Sequence, residues 1–274
     1  MPKVEANGIQ IYYEQQGVGE PLILIPYLSA DNACYAFQVA DYAKHFTCIT
    51  LDLRGTGESD KPDGDMSIEL YADDVASLMQ TLGLPQAHVY GLSLGAAIGM
   101  RLAAKHPDKV KSLSLHSGWP KSDEYLKTVV EGWQASAKGF NSVAETTIRS
   151  IFPFCFTPEM YATRFDHVQA LAGFVRSRPE MSVDAFIKQS NAVIAHDAES
   201  ELGKITAPTQ ITFGNRDQVT SLRFADRLKN EIRDSELVVF EDCAHAALYE
   251  KTQEFNERTL EFLKRHNQAM SASV

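Results

Sequence analysis

The sequence predicts an α/β fold, in which a mostly parallel β-sheet is covered on both faces by helices. Short apolar runs that are typical of buried strands recur along the chain, and stretches with apolar residues at positions i, i+3 and i+4 lie between them. This alternation is the pattern of βαβ units. It stops near residue 118 and resumes near residue 207, so we expect an α/β core that carries one long insertion.

The predicted elements follow in order from the N-terminus. Asn7 and Gly8 suit the positive φ angles of a type I′ turn, so the segments on either side, residues 4–6 and 9–15, predict a β-hairpin. Next come four buried strands, at residues 22–25, 46–51, 87–90 and 110–115, with helices between them over residues 33–43, 68–82 and 94–105. After the insertion we expect strands at residues 210–213 and 236–240, helices at 222–232 and 250–266, and a disordered end at residues 270–274.

The insertion comprises residues 119–195, and its pattern predicts several short helices rich in aromatic side chains. Acidic and basic residues are equal in number here, so the rest of the chain carries the whole net charge of −10. The insertion is thus the less hydrophilic part, which suits a cover over an apolar pocket. We therefore predict a core formed by residues 1–118 and 196–274 and a helical lid formed by residues 119–195.

Length and charge restrict the possible functions. A chain of 274 residues buries enough surface to form a cleft without disulfides or metals. Its 36 acidic and 26 basic residues give a field that repels polyanions, which argues against nucleic acid as a partner. No apolar run approaches the ~20 residues that span a bilayer, and residues 1–8 lack the apolar core of a secretory signal, so we expect a cytoplasmic protein without membrane partners. The four cysteines have no C-x-x-C spacing, which argues against a zinc or redox site.

The strongest local motif is Gly-Leu-Ser-Leu-Gly at residues 91–95, between a predicted strand and a predicted helix. In this setting the serine lies on a sharp, strained turn, and small neighbours are needed to avoid collisions. The turn exposes the hydroxyl of Ser93 and places the N–H of Leu94 at a helix N-terminus, where negative charge is stabilised. We predict Ser93 as a nucleophile and Leu94 as an oxyanion donor; the alternative is a serine that only caps a helix.

A serine hydroxyl needs a base that takes its proton, and the imidazole of histidine has a suitable pKa. Among the eight histidines, His245 lies in the loop after a late strand, where the carboxyl edge of a parallel sheet would bring it to the cleft. We predict His245 as the base. His116, at the end of the strand before the insertion, is the competing candidate.

The imidazole in turn needs a carboxylate that fixes its tautomer. Asp217 follows the strand at residues 210–213 and therefore also lies at a carboxyl end. Asp242 is the alternative, although it lies on the same loop as His245 and would have difficulty reaching the far ring nitrogen. A purely structural role for Asp217 would be to cap the turn before Thr220.

These motifs make the chain similar to the α/β-hydrolase superfamily over nearly its whole length. The order Ser, Asp, His along the chain is the order found there, and Asp-Leu-Arg-Gly-Thr-Gly-Glu-Ser at residues 52–59 resembles its D-x-R-G-x-G-x-S loop. Residues 116–119, 191–197 and 205–208 most resemble the branch that contains 3-oxoadipate enol-lactonases and RutD-type aminoacrylate hydrolases. The resemblance implies an eight-stranded, mostly parallel sheet with an inserted helical lid, and a structural role for Asp52 and Arg54.

The second oxyanion donor departs from the common pattern of the superfamily. Many relatives have His-Gly-x after the third strand, where the N–H of x completes the oxyanion hole, but this chain has Pro-Tyr-Leu-Ser at residues 26–29. Enol-lactonases also lack that histidine, so the resemblance implies Leu28 as the donor. The phenol of Tyr27 is expected either to enter the cleft, as a substrate contact or a third donor, or to pack in the core.

The expected function is that of a serine hydrolase that cleaves a carboxylic ester or lactone of a small molecule through an acyl-enzyme, with no metal or organic cofactor. The same three residues would support hydrolysis of a C–C bond, or of an amide or carbamate. A different class of function is a ligand sensor that keeps the fold but turns over slowly or not at all. We expect a monomer or a homodimer.

Substrate contacts are expected from the aromatic residues near the cleft. Trp119, Phe152 and Phe154, together with Tyr27, are the candidates, and they favour an apolar acyl or alkyl group. Four arginines of the predicted lid are candidates to bind a substrate carboxylate, with simple exposure to solvent as the alternative: Arg149, Arg164, Arg176 and Arg178.

Overall fold

The computed structural model describes residues 2–267 and contains a single eight-stranded sheet. The strands are β1 (Lys3–Ala6), β2 (Ile9–Gln16), β3 (Glu20–Ile25), β4 (Phe46–Leu51), β5 (Ala87–Leu92), β6 (Val110–His116), β7 (Thr209–Gly214) and β8 (Ser235–Phe240). Their order across the sheet is β1-β2-β4-β3-β5-β6-β7-β8. β1 and β2 are antiparallel to their neighbours and all other pairs are parallel, which confirms the predicted sheet. The expectation for residues 270–274 lies outside the described residues.

Twelve α-helices occur within the described residues. They are α1 (Ala36–Tyr42), α2 (Ile68–Thr81), α3 (Leu94–Lys105), α4 (Glu124–Phe140), α5 (Val143–Thr146), α6 (Phe152–Cys155), α7 (Pro158–Thr163), α8 (Phe165–Ser177), α9 (Val183–Ala195), α10 (Ala225–Glu231), α11 (Ala247–Glu250) and α12 (Thr252–Arg265). Short 3₁₀ helices occur at Asn32–Tyr35, Pro107–Lys109, Glu199–Lys204 and Leu222–Phe224, and a π-helical turn at Thr147–Ile151. Within residues 2–267, no helix combines the length and the apolar character that a bilayer span requires.

The N-terminal hairpin forms as its turn residues predict. Asn7 and Gly8 have φ angles of 49° and 75°, the positive values of a type I′ turn. The hairpin joins the main sheet through β2, which pairs with β4.

Helices cover the sheet on both faces. Side chains along each strand point alternately to opposite sides, so apolar residues of one strand reach both faces. On β3, Ile23 and Ile25 enter a core cluster with α2 and α3, whereas Leu22 and Leu24 enter a second cluster with α1 and α12. Both faces of the parallel strands are therefore buried, as the uninterrupted apolar runs in the sequence predict.

The loop after β4 has a structural role, as the resemblance implied. The carboxylate of Asp52 accepts hydrogen bonds from the backbone N–H groups of Asn32 and Glu58, both at 2.7 Å. The guanidinium of Arg54 binds Asp74 through two N–H groups, at 2.6 and 2.9 Å. These contacts fix the loop beside the carboxyl edge of the sheet.

Six helices, α4–α9, lie between β6 and β7, and we call residues 124–195 the intervening helices. The two ends of this segment are joined to each other. Ala198 donates its N–H to the carbonyl of Pro120 at 2.7 Å, and Ser122 donates to that of His196 at 3.0 Å. The chain therefore leaves the sheet after β6 and returns at the same place before β7.

Helix α3 begins in close contact with the end of β3. A Cβ atom added to Gly95 would lie 2.1 Å from the carbonyl oxygen of Ile25, which real side chains do not tolerate. Only glycine therefore allows this approach of helix to strand, which sets the position of the turn before α3.

We expect Gly95→Ala to lower the free energy of unfolding by at least ~1–3 kcal/mol, because the added methyl forces α3 away from β3. Gly132→Ala is the matched control, since Gly132 lies inside α4 with open space around its missing Cβ. This control should gain ~0.5–1 kcal/mol from helix propensity. Urea denaturation measures both variants, and equal stability of the two would contradict the packing described.

Candidate active site

Ser93 occupies the turn between β5 and α3 that the sequence predicts. Its φ and ψ angles are 54° and −117°, an uncommon conformation for a residue other than glycine. A Cβ added to Gly91 would lie 2.2 Å from the carbonyl carbon of Gly95, so the motif's two glycines allow the turn to close. Leu94 is the first residue of α3. The N–H groups of the first turn of a helix have no acceptor within the helix, so that of Leu94 is available to another partner.

Tyr35 connects this turn to the loop after β3. Its hydroxyl accepts the N–H of Leu92 at 3.0 Å and donates to the carbonyl of Ile25 at 2.8 Å. The residue is completely buried, so both bonds are shielded from water. The ends of β3 and β5 are thereby held in a fixed relation.

His245 and Asp217 are in direct contact. The Nδ1 atom of His245 lies 2.9 Å from Oδ2 of Asp217, and both residues are only 5% exposed. The two residues come from the loops after β8 and β7, as predicted from the positions of those strands. Because Nδ1 faces the carboxylate, Nε2 lies on the opposite side of the ring.

The carboxylate of Asp217 has three further hydrogen bonds. The N–H groups of Val219 and Thr220 donate to Oδ1, at 2.7 and 3.2 Å, and the Thr220 hydroxyl donates to Oδ2 at 3.0 Å. Burial on its own would raise the pKa of Asp217, but the His245 imidazole and these donors outweigh it and lower that pKa below the usual value. Asp217 is therefore a stable carboxylate that both caps its own turn and faces the imidazole.

The loop that carries His245 is fixed by a buried carboxylate that the sequence analysis did not single out. Glu250 accepts the N–H of Ala244 at 2.6 Å through one oxygen. Through the other it accepts the N–H and the hydroxyl of Thr157, both at 2.7 Å. Thr157 belongs to the intervening helices, so Glu250 joins them to the histidine loop.

His116, the competing base, lies elsewhere. Its ring is buried between Tyr90 and Phe255, with centroids 4.3 and 4.9 Å away, and its Nδ1 lies 2.8 Å from the hydroxyl of Thr212. Burial lowers the pKa of His116 to about 3. Phe255 belongs to α12, so His116 packs under that helix and does not face Ser93.

Asp242, the alternative acid, faces solvent. Its side chain is 67% exposed and pairs with Arg216. Of the two carboxylates considered for the imidazole, the structure thus brings Asp217 to His245 and leaves Asp242 at the surface.

Ser93 and His245 line one cavity, which we call the inner cavity. Four further predicted site residues also line it: Leu28, Tyr27, Trp119 and Phe152. Its remaining lining residues are mostly apolar and are Ser29, Leu92, Leu126, Val130, Trp133, Thr147, Ile151, Cys155, Phe156, Val193, Val219, Thr220, Ala246 and Tyr249.

Phe154 is the predicted contact that the structure does not bring to this cavity. Its ring packs against Trp133 with a centroid distance of 5.9 Å and lies outside the set of described residues that line the inner cavity. In the short helix α6, Phe152 and Phe154 are two positions apart and so point to different sides. Phe152 faces the cavity, which leaves Phe154 to pack behind it.

The hydroxyl of Tyr27 is occupied by another tyrosine. Tyr249 donates to the carbonyl of Cys34 at 2.6 Å, and the hydroxyls of Tyr27 and Tyr249 lie 2.7 Å apart. Since the single proton of Tyr249 is used on Cys34, Tyr27 must donate to Tyr249. This arrangement argues against Tyr27 as a third oxyanion donor and leaves its ring as a wall of the cavity.

The loop that carries Leu28 is held by the intervening helices. Ser29 has a φ angle of 62°, and its N–H donates to Oε1 of Gln189 at 2.8 Å. The hydroxyls of Ser29 and Thr147 lie 3.1 Å apart. Gln189, on α9, is fully buried and was not singled out from the sequence. It fixes the backbone directly after Leu28.

The α/β-hydrolase fold model matches residues 20–252, so the chain belongs to the α/β-hydrolase family. Among curated proteins, it is similar to the putative carbamate hydrolase RutD of Azorhizobium caulinodans, with 26% identity over 267 residues that cover 96% of this chain and 98% of the relative. Among solved structures, it is similar to the enol-lactonase from Burkholderia xenovorans LB400, with a TM-score of 0.86, 24% identity, and coverage of 96% and 100%. It is also similar to Est816, described as an N-acyl homoserine lactone degrading enzyme, with a TM-score of 0.80, 28% identity, and coverage of 95% and 100%. The resemblance inferred from the motifs is confirmed.

The buried, neutral His116 predicts a pH dependence of stability. Because its folded pKa is about 3 and an unfolded histidine titrates near 6.5, its contribution is fully present above about pH 6.5 and is lost as the pH falls through that value toward 3. Between pH 7.5 and 5 the loss is about 2 kcal/mol. Over the same pH interval, the decrease in the free energy of unfolding should be smaller in His116→Phe than in the natural protein by about that amount, as measured by urea denaturation. Identical pH dependence in both proteins would contradict a neutral, buried His116.

Proposed function

We propose that this protein is a serine hydrolase that cleaves a carboxylic ester or lactone of a small molecule. Ser93 is the nucleophile, His245 the general base and Asp217 the residue that orients the imidazole. The observation that carries the proposal is the 2.9 Å contact between His245 and the buried Asp217, at a cavity that Ser93 also lines. This combination supplies a nucleophile, a base and an orienting acid at one apolar site.

The reaction begins when the Oγ atom of Ser93 attacks the substrate carbonyl while His245 Nε2 takes the hydroxyl proton. The resulting imidazolium is stabilised by the Asp217 carboxylate. When the tetrahedral intermediate collapses, His245 gives the proton to the leaving alkoxide and an acyl-enzyme remains. A water molecule, deprotonated by His245, then attacks the acyl group, and Ser93 leaves with its proton restored.

The N–H groups of Leu28 and Leu94 stabilise the oxyanion of both tetrahedral intermediates. Each donor of this kind contributes ~2.7–4 kcal/mol to lowering the barrier. Leu94 is supported by its place at the start of α3, and Leu28 by its place on a loop that lines the cavity. The hydrogen bond from Ser29 to Gln189 keeps that loop in place, which avoids reorganisation during the reaction.

We propose that the intervening helices act as the lid over this site, which is the role that the sequence predicts for residues 119–195. Many of the residues that line the inner cavity come from these helices, including Leu126, Trp133 and Phe156. The described lining residues of that cavity include no aspartate, glutamate, lysine or arginine. An apolar acyl group next to the reacting carbonyl therefore fits best.

We propose a lactone or ester as the substrate, and not a carbamate, which is the substrate class in the name of the RutD relative. The apolar lining favours an apolar acyl group, and the resemblance to Est816, named for an acylated lactone, supports the same choice. Hydrolysis of a carbamate, amide or C–C bond remains the second candidate within the same chemistry. Assays with matched phenyl esters and phenyl carbamates of the same acyl length separate the two.

We expect Ser93→Ala to lower kcat for p-nitrophenyl butyrate by at least ~10⁴-fold, because the nucleophile is lost while the cavity is kept. Ser114→Ala is a matched control, since Ser114 is a second buried serine, on β6, outside the described lining of the inner cavity. It should retain most of the activity.

A fluorophosphonate probe distinguishes an enzyme from a ligand sensor that only retains the fold. Intact-mass measurement should show one adduct on the natural protein and none on Ser93→Ala. Full ester hydrolysis by Ser93→Ala, or a natural protein that the probe does not label, would rule out the proposed mechanism.

A further inference from the structure

A second cavity lies next to the inner one, and we call it the outer cavity. Six residues line both cavities and form a neck between them: Tyr27, Ser29, Thr147, Phe152, Phe156 and Tyr249. Beyond the neck, the wall is formed by α5 and α8 on one side, through residues such as Ala144 and Val175, and by the core loops around Asp31 and Thr56 on the other.

We propose that the outer cavity is a second binding subsite, which holds the distal part of a long, uncharged acyl group whose carbonyl lies at Ser93. The preferred substrates are then long-chain neutral esters or N-acyl lactones, and substrates with a terminal carboxylate are disfavoured. This inference rests on the proposed function, because it assigns the part of the substrate that lies away from the reacting carbonyl.

Four of the six neck residues present aromatic rings to whatever passes between the cavities, and the hydroxyls of the other two, Ser29 and Thr147, lie 3.1 Å from each other. The hydroxyls of Tyr27 and Tyr249 bind each other, and Tyr249 also binds the carbonyl of Cys34, so their polar atoms are already satisfied. Phe152 and Phe156 pack edge to face, with centroids 5.0 Å apart. A methylene chain can contact these rings without depriving a polar group of its partner.

The charged groups of the outer cavity already have polar partners within the protein. The guanidinium of Arg178 lies 2.7 Å from Oδ2 of Asp31 and its carbon lies 5.7 Å from the centroid of the Phe174 ring. Glu180, also in the wall, accepts the hydroxyl of Ser142 at 2.8 Å. The charged residues in the described wall are two carboxylates, Asp31 and Glu180, and one guanidinium, Arg178, so the outer cavity has a net negative charge and does not favour an anion.

The other three arginines considered for a substrate carboxylate lie outside the described lining of both cavities. Arg149 and Arg176 both bind Glu145, each at 2.7 Å. Arg164 donates to the backbone carbonyl of Glu250, also at 2.7 Å. We therefore replace the hypothesis of a cationic anchor with that of an apolar substrate chain. Each methylene of that chain that becomes buried should raise kcat/KM by about fourfold.

The experiment compares p-nitrophenyl butyrate, p-nitrophenyl decanoate and the mono-p-nitrophenyl ester of decanedioic acid, which has the same length but ends in a carboxylate. For the natural protein we expect decanoate to exceed butyrate in kcat/KM by at least about tenfold, and to exceed the carboxylate ester by a similar factor. Equal values for decanoate and the carboxylate ester, or a preference for the latter, would overturn the proposal.

Two variants fill the outer cavity from different helices: Ala144→Phe on α5 and Val175→Trp on α8. In each folded variant the ratio of kcat/KM for decanoate to that for butyrate should fall at least about fivefold. Val18→Trp is the matched control, since Val18 is 78% exposed and lies outside the described lining of both cavities, and it should keep the natural ratio. An unchanged ratio in both filling variants would overturn the proposal.

Asp31→Asn tests the charge argument in the opposite direction. Asparagine keeps an oxygen for the N–H of Ala33, which Asp31 caps at 3.0 Å, but it removes the negative charge beside Arg178. The variant should therefore gain at least about fivefold on the carboxylate ester relative to decanoate. No gain would contradict the role of the Arg178–Asp31 pair. Loss of the proposed function itself would give a different result, namely no hydrolysis of butyrate and no label on Ser93.

Discussion

The hydrogen bond between the imidazole of His245 and the carboxylate of Asp217 is the interaction on which the rest of the site depends. A buried carboxylate is costly unless all its oxygens are paired, and here four donors from two loops supply the partners. Those donors keep Asp217 ionised, and the ionised carboxylate in turn binds the Nδ1 edge of the imidazole and holds the ring in place. The opposite nitrogen is thus available to the cavity that Ser93 lines.

The intervening helices do more than cover this arrangement. Gln189 holds the loop of Leu28, and Thr157 binds the Glu250 carboxylate that also holds the backbone beside His245. Both loops that meet at the cavity are therefore tied to the same helical segment. A displacement of that segment would move the loop of Leu28 and the loop of His245 together, which couples access to the site with its geometry.

The sequence predicted those features that depend on local patterns. The turn at Ser93 followed from two glycines that permit a close approach, and Asp217 and His245 followed from their places after consecutive parallel strands. The contacts of Gln189, Glu250 and Tyr249 were not predicted, because each depends on a partner 90 or more residues away that has no sequence signal. For a similar reason the sequence did not distinguish Phe154, which packs against Trp133, from Phe152, which lines the cavity: composition shows that a helix is aromatic, and only packing shows which ring faces inward.

The central claim is that Ser93, His245 and the two backbone donors surround one reacting atom. A crystal structure of the protein after reaction with a small alkyl fluorophosphonate tests it most directly. We expect phosphorus bonded to Oγ of Ser93, with one phosphonyl oxygen within ~3.2 Å of the backbone nitrogens of Leu28 and Leu94 and His245 on the other side. A phosphonyl oxygen that points away from both nitrogens, or an adduct on another residue, would contradict the account.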